Sequence, residues 1–205
     1  KITIFKGKIF MKIVLATRNR KKVEEIRRMF TGFHIRFLGL DSFPDCPEVA
    51  EDGKTFRANA VKKAVNISRN TGHPAIADDS GLEVKALGGE PGVFSARYAG
   101  EGADDQKNVK KLLQKMKNIK DEDRSARFVC CIAFALPDGK VKTFTGYVRG
   151  MIGKRQKGFN GFGYDPVFYP VGHNKTFAEM TDTEKDALSH RGRALRKLHK
   201  YLINL

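Results

Sequence analysis

The sequence predicts an α/β chain of two lobes with a cleft between them, and three observations carry that expectation. Short apolar runs alternate with amphipathic helical patterns at both ends of the chain. A β-rich middle lies between those ends: residues 128–136, the turn Pro137-Asp138-Gly139, and the alternating run 141–149. No repeat, low-complexity tract or linker interrupts the 205 residues, which suffice for one sizeable core or two small lobes.

The elements follow in order. Residues 12–16 form a short apolar strand. A helix runs over about 19–30, with Val23, Ile26 and Phe30 at helical spacing, and Gly32 ends it. Residues 34–40 read as a second strand and 41–53 as an acidic, proline-bearing loop. Thr55 N-caps a helix to about Thr71, with Phe56, Ala60, Val61, Ala64 and Ile67 turned inward and Gly72 as terminator. Residues 74–84 hold a strand, an acidic turn and a second short strand. A glycine-rich loop then leads to Gly102, and 103–119 is an amphipathic helix. After the central hairpin, a second glycine-rich loop covers 157–165. A strand begins at 166–169, and one helix over 182–202 closes the chain.

Charge and cysteine usage narrow the function classes. The net charge of +16 attracts anions, whether nucleic acid, membrane or nucleotide phosphate. The basic pairs Lys21-Lys22, Arg27-Arg28, Lys62-Lys63 and Lys110-Lys111 fall on helices and read as solvated faces. Cys46, Cys130 and Cys131 show neither zinc spacing nor ordinary disulfide geometry, which fits a reducing cytoplasm. No apolar run reaches the ~20 residues of a membrane span. Residues 1–10 lack the pattern of a signal peptide. Met11 reads as the natural start, with 1–10 an upstream extension and 11–205 one two-lobed domain.

Five stretches carry chemistry. Asp78, Asp79 and Ser80 follow the apolar run 75–77, and Glu51 lies on the acidic loop. Carboxylate oxygens are the hard ligands magnesium takes, and one beside a cation can deprotonate a water. A tight Asp/Ser/Gly turn without chemistry is the alternative for the pair, and a surface charge for Glu51. Thr17-Arg18-Asn19-Arg20-Lys21-Lys22 stands at a helix N-terminus, where free N–H groups and the dipole favour an anion. An ordinary cap is its alternative. In Gly161-Phe162-Gly163-Tyr164-Asp165-Pro166 the aromatic suits a planar base and Asp165 accepts from base or ribose. A structural turn with both rings in the core is the alternative. Lys185 with Ser189-His190-Arg191 offers donors for phosphate or a base carbonyl. Arg97, after the first glycine loop, is placed near the acidic edge or on the surface.

The run from Ala77 to Gly100, with its Ala-Asp-Asp-Ser-Gly and Gly-Gly-Glu-Pro-Gly-Val-Phe-Ser-Ala-Arg-Tyr motifs, closely resembles the signature of the inosine/xanthosine triphosphate pyrophosphatases. Residues 15–22, 161–166, 177–180 and 184–191 fall in that family's order, and the similarity covers about 11–205. The resemblance implies an elongated two-lobed fold around a central mixed sheet flanked by helices. It implies a homodimer that hydrolyses dITP, ITP and XTP to monophosphate and pyrophosphate with Mg²⁺. On the matching positions, Thr17 to Lys22 hold the triphosphate. Asp79 is general base and metal ligand, with Glu51 and Asp78 beside it, and Ser80 touches substrate. Phe162, Gly163, Tyr164, Asp165, Lys185, His190 and Arg191 surround the base and phosphates. One departure stands out. The family's Thr-Phe-x-Glu-Asn-Ala reads Thr55-Phe56-Arg57-Ala58-Asn59-Ala60 here, so one carboxylate is missing while Asn59 remains. Two competing readings are a basic nucleic-acid-binding protein and a pyrophosphatase for modified pyrimidine triphosphates. No RNA-binding sheet motif, helix-turn-helix or zinc spacing supports the first, so neither a stable nucleic-acid complex nor membrane attachment is expected.

Overall fold

A computed structural model describes residues 3–5 and 8–205. Seven strands and five α-helices occur among them: β1 Thr3–Phe5, β2 Lys8–Leu15, α1 Arg20–Met29, β3 Ile35–Leu38, α2 Phe56–Thr71, β4 Ala75–Val84, α3 Asp105–Lys115, β5 Ser125–Ala135, β6 Val141–Ile152, β7 Phe168–Pro170, α4 Asp182–Leu188 and α5 His190–Ile203. The strands form one sheet in the order β1-β2-β4-β5-β6-β7, with β3 also paired to β2. The sheet is mixed. β2 runs parallel to β3 and β4, whereas β1 pairs antiparallel with β2 and β7 antiparallel with β6. Residues 1, 2, 6 and 7 of the expected N-terminal extension lie outside the described residues; Thr3–Phe5 pairs with Lys8–Phe10.

The chain forms two compact units. The first comprises Lys1–Asp79, Cys131–Thr145 and Ala194–Leu205, the second Ser80–Cys130 and Gly146–Arg193. In the first, Ile13, Val14 and Leu15 are all fully buried. Consecutive buried residues identify a strand covered on both faces, as parallel strands require. The core of the second is aromatic. Phe128, Phe168 and Phe177 pack on one another, with centroids 4.6 Å, 6.1 Å and 5.3 Å apart. Leu82, Val109 and Leu112 extend that cluster.

The sequence places caps at Thr55 and in the stretch before α1, and the structure adds one at Asp104. Asn19, Thr55 and Asp104 accept backbone N–H groups at the starts of α1, α2 and α3, and Gly72 closes α2 with φ 66°. Three expectations need correction. The acidic turn does not exist: β4 runs unbroken through Asp78, Asp79, Ser80 and Gly81. The apolar pattern resumes at Leu82 and Val84, both fully buried, and the Leu82 N–H donates to Ser95 Oγ at 2.9 Å. The closing helix is two helices. Ser189 is extended, its Oγ accepts the Gly192 N–H at 3.0 Å and its carbonyl accepts the Arg193 N–H. It therefore ends α4 and caps α5. On α2, Val61 is half-buried, and Lys63 is buried rather than solvated.

Candidate active site

The candidate residues form two sets, one within each unit, and each set is built by its own elements. In the first unit, the loop after β2 feeds α1. The Asn19 N–H donates to Thr17 Oγ1 at 3.2 Å, and Asn19 Oδ1 in turn accepts the Lys22 N–H at 3.2 Å. No acidic residue occupies the first turn, so its backbone N–H groups and dipole keep their positive character. Arg18, Arg20 and Lys21 are exposed. The 3.9 Å pair of Arg18 with Glu48 is solvated and worth little. Lys22 turns inward, its Nζ 2.8 Å from Asp78 Oδ1.

An unbroken strand changes the meaning of the two aspartates. Successive side chains of a strand point to opposite faces, so Asp78 and Asp79 do not form a side-by-side carboxylate pair. Each has its own partners. Asp78 meets Lys22 of α1 through its carboxylate, and its carbonyl accepts from Lys63 Nζ at 2.7 Å. Asp79 Oδ2 accepts from Asn59 Nδ2 of α2 at 2.9 Å. Lys63 also donates to Glu51 Oε1 at 2.6 Å, which ties the acidic loop to α2. Asp79 is 5 % exposed. Burial pushes its carboxyl above the ordinary carboxylate range; the Lys63 charge and the Asn59 amide pull it down, and Glu51 adds to the rise. A carboxylate so desolvated holds a proton more readily than an exposed one, as a general base requires.

The donor set suits a hard divalent cation. Glu51 and Asp79, whose charges act on each other, supply carboxylate oxygens, whereas Asp78, expected as a third ligand, is turned to Lys22 from the other side of the strand. Among the described residues no three His, Cys, Asp or Glu side chains converge as a finished metal cage. Magnesium needs none, because it binds through one or two carboxylates plus substrate phosphates.

The second unit gathers cations. Asp165 Oδ2 accepts both the Phe162 N–H at 2.9 Å and Lys185 Nζ at 2.7 Å, and the pair is almost fully buried. Gly161 has φ +76°, and a side chain there would run into the Asp165 carboxylate. Lys185 Nζ lies 4.8 Å from the centre of the Phe162 ring and the Arg191 guanidinium 5.4 Å from it. Arg191, only 2 % exposed, donates from Nη2 to Ser80 Oγ at 2.8 Å. His190 stacks flat on Phe128, with ring centres 4.6 Å apart.

Four sequence-predicted residues take other places. Tyr164 is buried, and its hydroxyl donates to Ser95 O at 2.9 Å, so its ring serves the core. The Asp165 oxygen expected to meet a base or ribose instead receives Phe162 and Lys185. The Gly163 N–H donates to Asp105 Oδ2 at 2.7 Å. Arg97 lies over Phe94 at 5.2 Å, within the second unit. One partner of the acidic cluster reads in the sequence as a solvated surface residue. Lys63 sits on the same α2 stripe as Phe56, Ala60 and Ile67, and a lysine on a buried stripe is the signal that marks it.

Comparison with known proteins gives the family. The model of the Ham1 family matches residues 13–201. The chain belongs to the Ham1 family. It is 49 % identical to a dITP/XTP pyrophosphatase of Geobacter sulfurreducens over 93 % of this chain and 96 % of that one. Among solved structures, a HAM1 protein from Coxiella burnetii superposes with a TM-score of 0.87 at 41 % identity, covering 95 % of this chain and 100 % of the other. A dITP/XTP pyrophosphatase from Mycobacterium abscessus gives 0.75 at 45 % identity, covering 92 % and 98 %. No helix among the described residues is long and apolar enough to cross a membrane.

Proposed function

We propose that this Ham1 chain hydrolyses dITP, ITP and XTP to the nucleoside monophosphate and pyrophosphate, with Mg²⁺ as its metal. The observation that carries the reading is Asp79, a desolvated carboxylate on β4 with the cation-paired carboxylates Asp78 and Glu51 for company. Glu51 and Asp79 are the residues that would hold the metal, with Asp78 beside them on the strand holding Lys22. Bound magnesium supplies neutralising charge to the phosphates and an acidified water.

The chain's own residues account for the rest. The N–H groups at the start of α1, with Arg18, Arg20, Lys21 and Lys22, bind the triphosphate as a helix N-terminus binds anions. Asp79 takes the proton of a water whose oxygen bonds to the α-phosphorus. The bond from that phosphorus to the bridging oxygen breaks, and pyrophosphate leaves. Lys185, His190 and Arg191 hold the base end, together with the Phe162 ring and Ser80. Lys185 and Arg191 carry only donors. A 6-oxo purine offers them an acceptor, whereas the amino group of adenine opposes donor with donor, a mismatch that discriminates strongly. The protein works as a cytoplasmic homodimer without a stable nucleic-acid complex.

A panel of nucleotides assayed for pyrophosphate release, with and without magnesium, tests the reading. dITP, ITP and XTP lead, and dATP and dTTP trail. Equal rates on all five, or turnover indifferent to magnesium, would overturn it.

A further inference from the structure

We propose that Asn59 is a positioning residue that aims the Asp79 carboxylate, with the Gly53 backbone as its anchor. The proposal rests on the reading of Asp79 as the base and names what holds that base in place. Asn59 lies in the first turn of α2 and is 1 % exposed. Its two amide ends do different work. Oδ1 accepts the Gly53 N–H at 2.7 Å, and Nδ2 donates to Asp79 Oδ2 at 2.9 Å. The orientation is forced. Gly53 N–H only donates and an ionised carboxylate only accepts, so a flipped amide would oppose donor to donor and oxygen to oxygen. An amide with both ends committed cannot rotate, and it fixes the Asp79 carboxylate against α2.

The bracket also sets the acidic loop. Gly53 lies two residues after Glu51, and Lys63, one turn beyond Asn59, holds Glu51 at 2.6 Å. α2 thus grips the loop at Gly53 and at Glu51, and it passes the first grip on to Asp79. Gly53 is required for its size rather than its backbone angle. A Cβ there would stand 2.5 Å from Asn59 Oδ1 and 3.0 Å from Ala58 Cβ.

The test uses the full chain, dITP with Mg²⁺, and thermal unfolding of each variant. Asn59→Ala is expected to lower kcat about tenfold or more while KM stays within about twofold, because a charge-assisted bond to the base is lost and no contact to substrate is. Asn59→Asp retains an acceptor for Gly53 but turns oxygen against Asp79, and it loses at least as much. Gly53→Ala displaces the amide and is slower than wild type. Combined with Asn59→Ala it is no slower than Asn59→Ala alone, since the displaced group has gone. A staple that served only to hold Gly53 would keep its acceptor, and its turnover, in Asn59→Asp. Asn59→Asp turning over within about twofold of wild type, or multiplying losses, overturns the proposal. If Asn59→Ala shows no cooperative unfolding, Asn59→Asp and Gly53→Ala decide. A wild-type chain inert toward dITP overturns the parent reading instead.

Discussion

The two units gather buried charge of opposite sign. In the first unit, the carboxylates Glu51, Asp78 and Asp79 are balanced by the ammonium groups of Lys22 and Lys63. In the second, Lys185 and Arg191 share the face of Phe162, with Asp165 as the carboxylate bound to Lys185. Each set places more of one sign than it neutralises, and burial strengthens what remains. In the proposed reaction the acidic set would meet a cation and the basic set an acceptor-rich ring. The net charge of the chain does not reveal this division, because buried charges of opposite sign are gathered in different units.

Breaking the acidic set at its centre has the largest expected effect. Asp79→Asn should lower kcat by about 100-fold or more, the contribution of a general base, while nucleotide still binds. Single-turnover kinetics with a binding titration checks it, and near-normal turnover would remove the base assignment. Breaking the basic set separates binding from folding. Lys185→Met leaves the Asp165 carboxylate buried without its ammonium partner, and breaking such a pair destabilises by about 3–5 kcal/mol. Denaturant unfolding should show that loss, and Lys185→Met combined with Asp165→Asn should recover much of it. KM for dITP stays raised in both. Recovery of KM along with stability would show that Lys185 has no role toward the base.

The smallest effect lies where α4 begins. The Thr181 N–H bonded to Glu184 holds that carboxyl below its ordinary 4.5. Folded Glu184 binds a proton less readily than unfolded Glu184. Its capping contribution is therefore complete above that ordinary value and fades as pH falls through the lowered one. Glu184→Gln should lower Tm slightly at neutral pH and by less in acid. An equal loss at both would mean that charge plays no part in the cap.

Much of this arrangement was legible in residues. The caps Asn19 and Thr55, the terminator Gly72 and the Pro137-Asp138-Gly139 turn are local chemistry, and local chemistry is written in the sequence. Ordered motifs brought Asp79, Lys185 and Arg191 to attention before any coordinates did. What escaped depended on distant partners. A turn at Asp79-Ser80-Gly81 obeys local propensity, but Ser95 and the buried Leu82 keep the strand running. Lys63 looked solvated because its Glu51 partner comes from a loop twelve residues earlier. Ser189 breaks the last helix through a cap that helical periodicity does not register. Tyr164 became core because Ser95 offered its hydroxyl an acceptor.

The central claim is attack of water on the first phosphorus with Asp79 as base. Hydrolysis of dITP by the wild-type chain in ¹⁸O-enriched water tests it most directly, with both products examined by mass spectrometry. Attack at the α-phosphorus places one heavy oxygen in the deoxyinosine monophosphate and none in the pyrophosphate. Label in the pyrophosphate, or orthophosphate as the first product, would contradict it.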